Sequence, residues 1–261
     1  MSGSATYVYC VVHRAARPPA TRMPPGIPGS SAPAIDSISR GLWLVSGAVP
    51  LTDYAEQEIE GRLQDLEWVS AIALAHEAVV ERFSRTTGAT VIPMKLFTIF
   101  ASPARALEEM RRRRPQLQRV AKRIRGADEW GLRIARRSDG PAALTAAAPG
   151  GAVASGTAFL AAKRRARDEA QARAAAALEA AEHAFDVLGR FARETRRQDI
   201  PAGAAAPPLL DAALLVPSTR KLRFRAAVGR EARRCRQAGA DLKLTGPWPA
   251  YNFIQSADRL Q

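Results

Sequence analysis

The sequence predicts an α+β fold in two domains, residues 1–130 and 131–261, the second a split βαβ or ferredoxin-like unit with one long helix. Three observations carry that prediction. Short β-branched and aromatic runs recur between longer stretches whose apolar residues fall every three to four positions. Clusters of proline, glycine and serine punctuate the chain between them. In the second half the elements read β, α, β, α, β, with room for one further strand. With 47% hydrophobic residues over 261 positions, the chain has enough apolar surface for a packed core, which excludes global disorder.

Tyr7 to Val12 is apolar without alternation, the pattern of a strand covered on both faces. From Arg17 to Pro33, six prolines fix φ and remove N–H donors, so a flexible loop is expected there. Leu42 to Val45 resumes as a buried strand. Asp53 and Glu56 have the spacing of a capping box, which predicts a helix start. Ala55, Ile59, Leu63, Leu66 and Val69, then Ile72, Ala75, Val79 and Phe83, give two helical series that stop at Gly88. Val91 to Phe100 reads as a β run broken at Pro93. Ser102 can cap a helix that begins at Pro103, a position needing no N–H donor, and this helix carries Arg111, Arg112, Arg113 and Arg114.

Leu132 to Ala135 opens the second domain as a strand, followed by a loop from Ser138 to Gly151 rich in breakers. Ser155 is read as the N-cap of a helix spanning about 155–197, striped by Leu178, Ala181, Phe185, Leu188 and Phe191. Its N-terminal half is Ala-rich, with high helix propensity and little apolar area, so it should project or pack closely against a partner. The loop Pro201 to Pro208 ends it. A strand at Ala213 to Val216, a basic helix with Phe224, Val228, Ala232 and Cys235 on one face, and a strand at Leu242 to Thr245 complete the order.

A formal charge of +14 favours acidic surfaces, nucleic acid or anionic lipid as partners. Twelve basic against four acidic residues between Arg105 and Arg137 make much of that charge local. Two distant cysteines, Cys10 and Cys235, build neither a disulfide framework nor a zinc site, and the expected compartment is the reducing cytoplasm. No apolar run reaches the ~18 residues of a spanning helix, and the first residues lack a signal-peptide layout, so no membrane is expected.

Catalytic and cofactor motifs fail one by one. His76-Glu77 begins like a zincin helix, but Val80 stands where the second ligand is needed; a histidine with a local hydrogen bond is the simpler reading. Gly151 to Thr157 has the glycine step of a phosphate loop without its lysine. No Gly-x-Ser-x-Gly elbow occurs, and acid pairs such as Glu108-Glu109 lie amid arginines that keep them ionised. The expectation is no enzyme, no cofactor and no metal. Arg111 to Arg114, Lys163 to Arg167 and Arg220 to Arg236 could meet phosphates, so nucleic-acid binding is the alternative function; few aromatics and no DNA-reading motif speak against it.

The segment Gly246-Pro247-Trp248-Pro249-Ala250-Tyr251-Asn252-Phe253 concentrates rigid and aromatic residues after a strand. Trp248, Tyr251 and Phe253 offer large apolar area, so this tail docks either on its own domain or on a partner. Together with Tyr7-Val8-Tyr9, Gly41-Leu42, Val49-Pro50, Ala75-His76-Glu77, Val91-Ile92-Pro93-Met94-Lys95, Glu129-Trp130-Gly131 and Ser155-Gly156-Thr157, it resembles, in order, the blocks of the gas vesicle accessory protein F/L family. Three departures stand out: Cys10 where the family usually has glycine, Leu96-Phe97-Thr98 for its common Phe-Gly-Thr, and the proline-rich insert.

The resemblance implies two α+β domains, the C-terminal one modified ferredoxin-like. It further implies a non-enzymatic assembly factor that associates with the small hydrophobic shell protein GvpA and other accessory proteins, in the cytoplasm at the gas vesicle. Arg111 to Arg114, Trp248, Tyr251 and Phe253 are the candidate partner-binding residues. The first four would steer acidic side chains, and the aromatics would supply apolar contact.

Overall fold

The apolar run at Tyr7 to Val12 is the middle of β1 (Ser4–His13), buried from Ala5 to Val12, in a computed structural model that describes residues 3–137, 156–200 and 206–254. Contacts divide the chain into two units, Met1–Glu129 with Pro247–Gln261, and Trp130–Gly246. In the first, β1 is the centre of an antiparallel sheet. It pairs with β3 (Leu42–Pro50), β4 (Thr90–Pro93) and β5 (Ile99–Phe100), while β2 (Ala34–Ser39) joins the outer side of β3. The break at Pro93 falls where the sequence placed it.

A bulge between Val8 and Cys10 resets the strand's alternation. Ala5, Tyr7 and Tyr9 before it, and Cys10 and Val12 after it, therefore share one apolar cluster. After α1 (Leu51–Tyr54) and α2 (Glu56–Arg62), α3 (Leu66–Ser84) covers this cluster with Ile72, Val79, Val80 and Phe83. Val8 and Val11 are equally buried, and α4 (Pro103–Arg112) and α5 (Arg114–Ile124) pack on the sheet through Ala106, Met110, Leu117, Val120 and Ala121.

Local chemistry explains several helix ends. Ser102 Oγ accepts the Arg105 N–H at 3.3 Å with Pro103 as first helical residue, and Asp65 caps α3 by accepting from Trp68 N at 3.0 Å. Asp53 lies inside α1 and caps nothing; α1 starts after Pro50, and an extended Ala55 separates it from α2. The helix expected to run through Arg111–Arg114 stops at Arg112. Pro115, near the start of α5, has no N–H to continue the ladder. The stretch from Arg17 to Pro33 forms neither helix nor strand, yet it is fastened to the sheet. Ile27 is buried, Tyr9 Oη accepts from Ile27 N at 3.0 Å, and Tyr54 Oη donates to Pro28 O at 2.6 Å. A Cβ on Gly26 would fall 2.6 Å from Tyr9 Oη, so this close approach needs glycine.

The second unit runs β6 (Ala127–Arg136), α6 (Gly156–Gly189), β7 (Glu194–Arg197), β8 (Leu210–Pro217), α7 (Lys221–Gln237) and β9 (Ala240–Trp248), with strand order β7-β8-β6-β9. The unit boundary cuts within β6 and β9. Its core joins Trp130, Leu132 and Ile134 of β6 to Ala181, Ala184 and Leu188 of α6, Leu214 of β8 and Phe224 of α7. The long helix ends at Gly189, short of the expected 197. A turn with Phe191 N on Leu188 O at 3.1 Å leads into β7, which pairs antiparallel with β8 from Glu194↔Leu215 to Arg197↔Ala212. This is the further strand for which the sequence left room. The expected loop Ser138–Gly151 and the Ser155 cap lie outside the described residues.

Candidate functional site

The aromatic tail belongs to the first unit, where the sequence had placed it with the second. Polar contacts and burial both fasten it there. Tyr251 Oη donates to Glu77 Oε2 at 2.7 Å, and Asn252 donates its backbone N–H to Glu129 Oε2 at 2.8 Å and its amide Nδ2 to Glu129 Oε1 at 2.5 Å. Arg123 donates to the Phe253 carbonyl. Phe253 is fully buried and offers no surface to a partner, and Tyr251 is half-buried; Trp248 remains 47% exposed. The tail is thus largely core, with one tryptophan left outside.

Beneath Tyr251 lies a buried polar cluster. His76 Nδ1 and Tyr7 Oη are 2.8 Å apart, and the rings of Tyr7, Tyr9 and Tyr251 surround the imidazole. Burial lowers the His76 pKa to about 4, partly opposed by a hydrogen bond to the Met94 backbone, so the ring is neutral at physiological pH. Burial raises both Tyr7 and Tyr251, the latter helped by the Glu77 carboxylate. Burial also raises Glu77, while the Tyr251 hydrogen bond pulls it back. The groups bond chiefly to one another, which is the pattern of a structural network.

Arg111, Arg112, Arg113 and Arg114 are all exposed, at the junction of α4 and α5. Glu109 accepts from Arg112 at 2.6 Å and from Arg113, and these hydrogen bonds, Arg112 first, hold its carboxyl below the usual range. Arg111 reaches the Ile38 carbonyl at 3.4 Å. Arg111 and Arg114 meet no carboxylate among the described residues, so they carry the uncompensated charge.

Sequence reasoning missed a groove of about 500 Å³ between α4, α5 and the β4–β5 connection. Its walls are apolar, from Ile92, Pro93, Met94, Phe100, Met110, Leu117 and Val120, and Lys95, Glu109, Arg113 and Gln116 supply its polar groups. Ile254, the residue after Phe253, completes one wall. The structure therefore brings the two predicted regions together here, since Arg113 and the docked tail line the same groove. Trp248 is not part of it. No signal in the sequence marked the groove, because its walls come from segments up to 162 positions apart, from Ile92 to Ile254.

Beside Phe100 the chain carries local strain. Phe97 adopts φ 60, a left-handed conformation costly for a bulky residue, and its ring stacks on Trp68 at 5.6 Å between centroids and 14° between planes. It stands at the middle of Leu96-Phe97-Thr98, where the resembling family commonly has glycine.

Two solved structures share this architecture over nearly their whole length. The gas vesicle protein GvpF from Anabaena sp. PCC7120 superposes with a TM-score of 0.67 at 15% identity, covering 97% of each chain. GvpF from Microcystis aeruginosa gives 0.63 at 15% identity, covering 96% of this chain and 99% of its own. The class is therefore the α+β fold of these gas vesicle proteins. A curated relative, gas vesicle protein L of Streptomyces sp. (strain CB03234), is 29% identical over 264 residues, 97% of this chain and 93% of its own length. The family model described as gas vesicle synthesis protein GvpL/GvpF matches residues 5–255, and the chain belongs to that family.

Among the described residues, no group of three or more His, Cys, Asp or Glu is arranged to hold a metal ion, and no helix is long and apolar enough to cross a membrane.

Proposed function

We propose that this protein is a non-enzymatic accessory factor of gas vesicle assembly that binds the small hydrophobic shell protein GvpA and works beside other accessory proteins, in the cytoplasm at the growing vesicle. The observation that carries this reading is the apolar groove of the first unit, flanked by exposed arginines. A client rich in apolar surface must be covered before it assembles, and a groove of this volume can receive a few of its side chains at a time. Arg111 and Arg114 would draw acidic client residues into register, and Trp248 adds a further apolar contact. Tyr251 and Phe253 act through the fold, by holding Ile254 in the groove wall. For the second unit we propose a modified ferredoxin-like fold, a reading supported by its β-α-β-β-α-β order and by its strand order.

The test is co-purification with GvpA at low and high salt, beside a random-DNA control. The expected outcome is retention of GvpA at both salts and no retention of DNA. Met94→Glu, at a half-buried groove position, should reduce GvpA retention at every salt with thermal melting unchanged. Reversal of Arg111–Arg114 to Glu should reduce it chiefly below about 0.1 M salt, where the Debye length exceeds ~10 Å. Retention of DNA alone, released by salt, would replace this reading with nucleic-acid binding.

A further inference from the structure

Among the described residues, α6 enters the core of the second unit through its C-terminal half, at Ala177, Ala180, Ala181, Ala184 and Leu188. Residues 157–173 are exposed at every position, about 26 Å of helix at ~1.5 Å per residue. Alanine-rich sequence keeps such a segment helical without tertiary cover. At 3.6 residues per turn, the face that enters the core continues outward, past Arg173, through Ala170, Ala166, Ala162 and Phe159. Phe159 and the neighbouring Leu160 are 64% and 59% exposed. Lys163 and Arg167, one turn apart, line one flank of this face, and neither they nor Arg164 and Arg165 form an ion pair among the described residues.

We propose that this arm docks an amphipathic helix of a partner protein, its apolar stripe on Phe159, Ala162, Ala166 and Ala170 and its acidic flank on Lys163 and Arg167. The short alanine side chains allow helix axes to approach to the near end of the usual ~8–10 Å range, a geometry suited to a helix. The unpaired cations select the acidic flank. A second copy of this chain paired antiparallel is a poor occupant, because that pairing sets Lys163 and Arg167 of one arm against those of the other. Nucleic acid would use the cations and leave Phe159 and Leu160 in water. This surface lies in the other unit from the groove and shares no residue with it, so it stands or falls independently of GvpA binding.

Two designed helical peptides of about 18 residues test it against the full-length protein by fluorescence anisotropy. They share one Leu/Ala stripe and differ in carrying Glu or Lys on its flank. The Glu peptide should bind and the Lys peptide should bind at least about tenfold more weakly. Lys163→Glu with Arg167→Glu should reverse that preference, and Ala166→Glu should weaken both peptides with the fold unchanged by circular dichroism. Equal binding of the two peptides, no binding up to about 1 mM, or a preference that survives the charge reversal would overturn the proposal. Displacement of the Glu peptide by a random duplex of about 20 bp would assign the arm to nucleic acid, and a dimer abolished by Ala166→Glu would assign it to self-association.

Discussion

Replacing Tyr251 by Phe removes one hydroxyl and leaves the ring's packing in place, so it isolates the contact to Glu77. The bond is 2.7 Å long, donated by a neutral phenol to a half-buried carboxyl whose pKa is already raised by burial. A hydrogen bond to a charged group contributes about 1.5–3 kcal/mol, and one between neutral groups about 0.5–1.5 kcal/mol. Loss of the phenol removes the hydrogen bond that stabilises the carboxylate form, so the Glu77 pKa in the folded protein must rise further. The sign follows by linkage. A folded-state pKa above the unfolded one gives stability that is fully present below the unfolded value and lost as pH rises through the folded value. The variant should therefore be destabilised by about 1.5–3 kcal/mol near pH 7 and by only about 0.5–1.5 kcal/mol near pH 4. Hydrogen exchange of the segment 247–254, compared with wild type at both pH values, reads the local opening directly. A loss that is equal at the two pH values, or larger in acid, would refute the role given to the Tyr251–Glu77 bond.

Phe97→Ala and Phe97→Gly both remove the stack on Trp68, but only glycine relieves the positive φ; the Gly variant should be more stable than the Ala variant by about 1–2 kcal/mol in urea denaturation, and equal stabilities would remove backbone strain from the account. Asp65→Ala should cost about 1 kcal/mol through loss of the α3 cap, whereas Asp53→Ala should change stability by less than about 0.5 kcal/mol, because Asp53 caps nothing; both are read from thermal melts. Cys10 and Cys235 are buried, one in each unit, and burial raises both thiols, so neither should react with an alkylating reagent in the native protein. Labelling followed by mass spectrometry across a urea series should then report the opening of each unit separately, and rapid labelling without urea would contradict the burial.

Where a local rule decides the structure, the sequence was sufficient. The unalternating run in β1, the Ser102-Pro103 helix start and the break at Pro93 all rest on properties of a few adjacent residues. Elements set by tertiary pairing were invisible. β7 is Glu-Thr-Arg-Arg, a polar segment that becomes a strand because β8 offers it an edge, and β2, with Asp and two Ser among six residues, is held through Ile35 and Ile38. The Asp53–Glu56 spacing misled because Pro50 had already started a helix. For the site, composition alone showed that the tail must dock. It did not show where, since the partners Glu77 and Glu129 lie 174 and 123 positions away. His76 makes a similar case: its hydrogen-bond partner, Tyr7, is 69 positions away rather than local.

The first unit is closed by residues that the chain reaches only after the whole of the second. Translation runs from the N-terminal side, so β1 to α5 emerge early while Tyr251, Asn252 and Phe253 are still to be made. Until they arrive, Glu129 lacks its Asn252 partner, the buried place of Phe253 stands empty and the wall formed by Ile254 is missing. The order of synthesis thus delays completion of the groove until the intervening unit has been translated, and a nascent chain released before residue 254 lacks one wall of it.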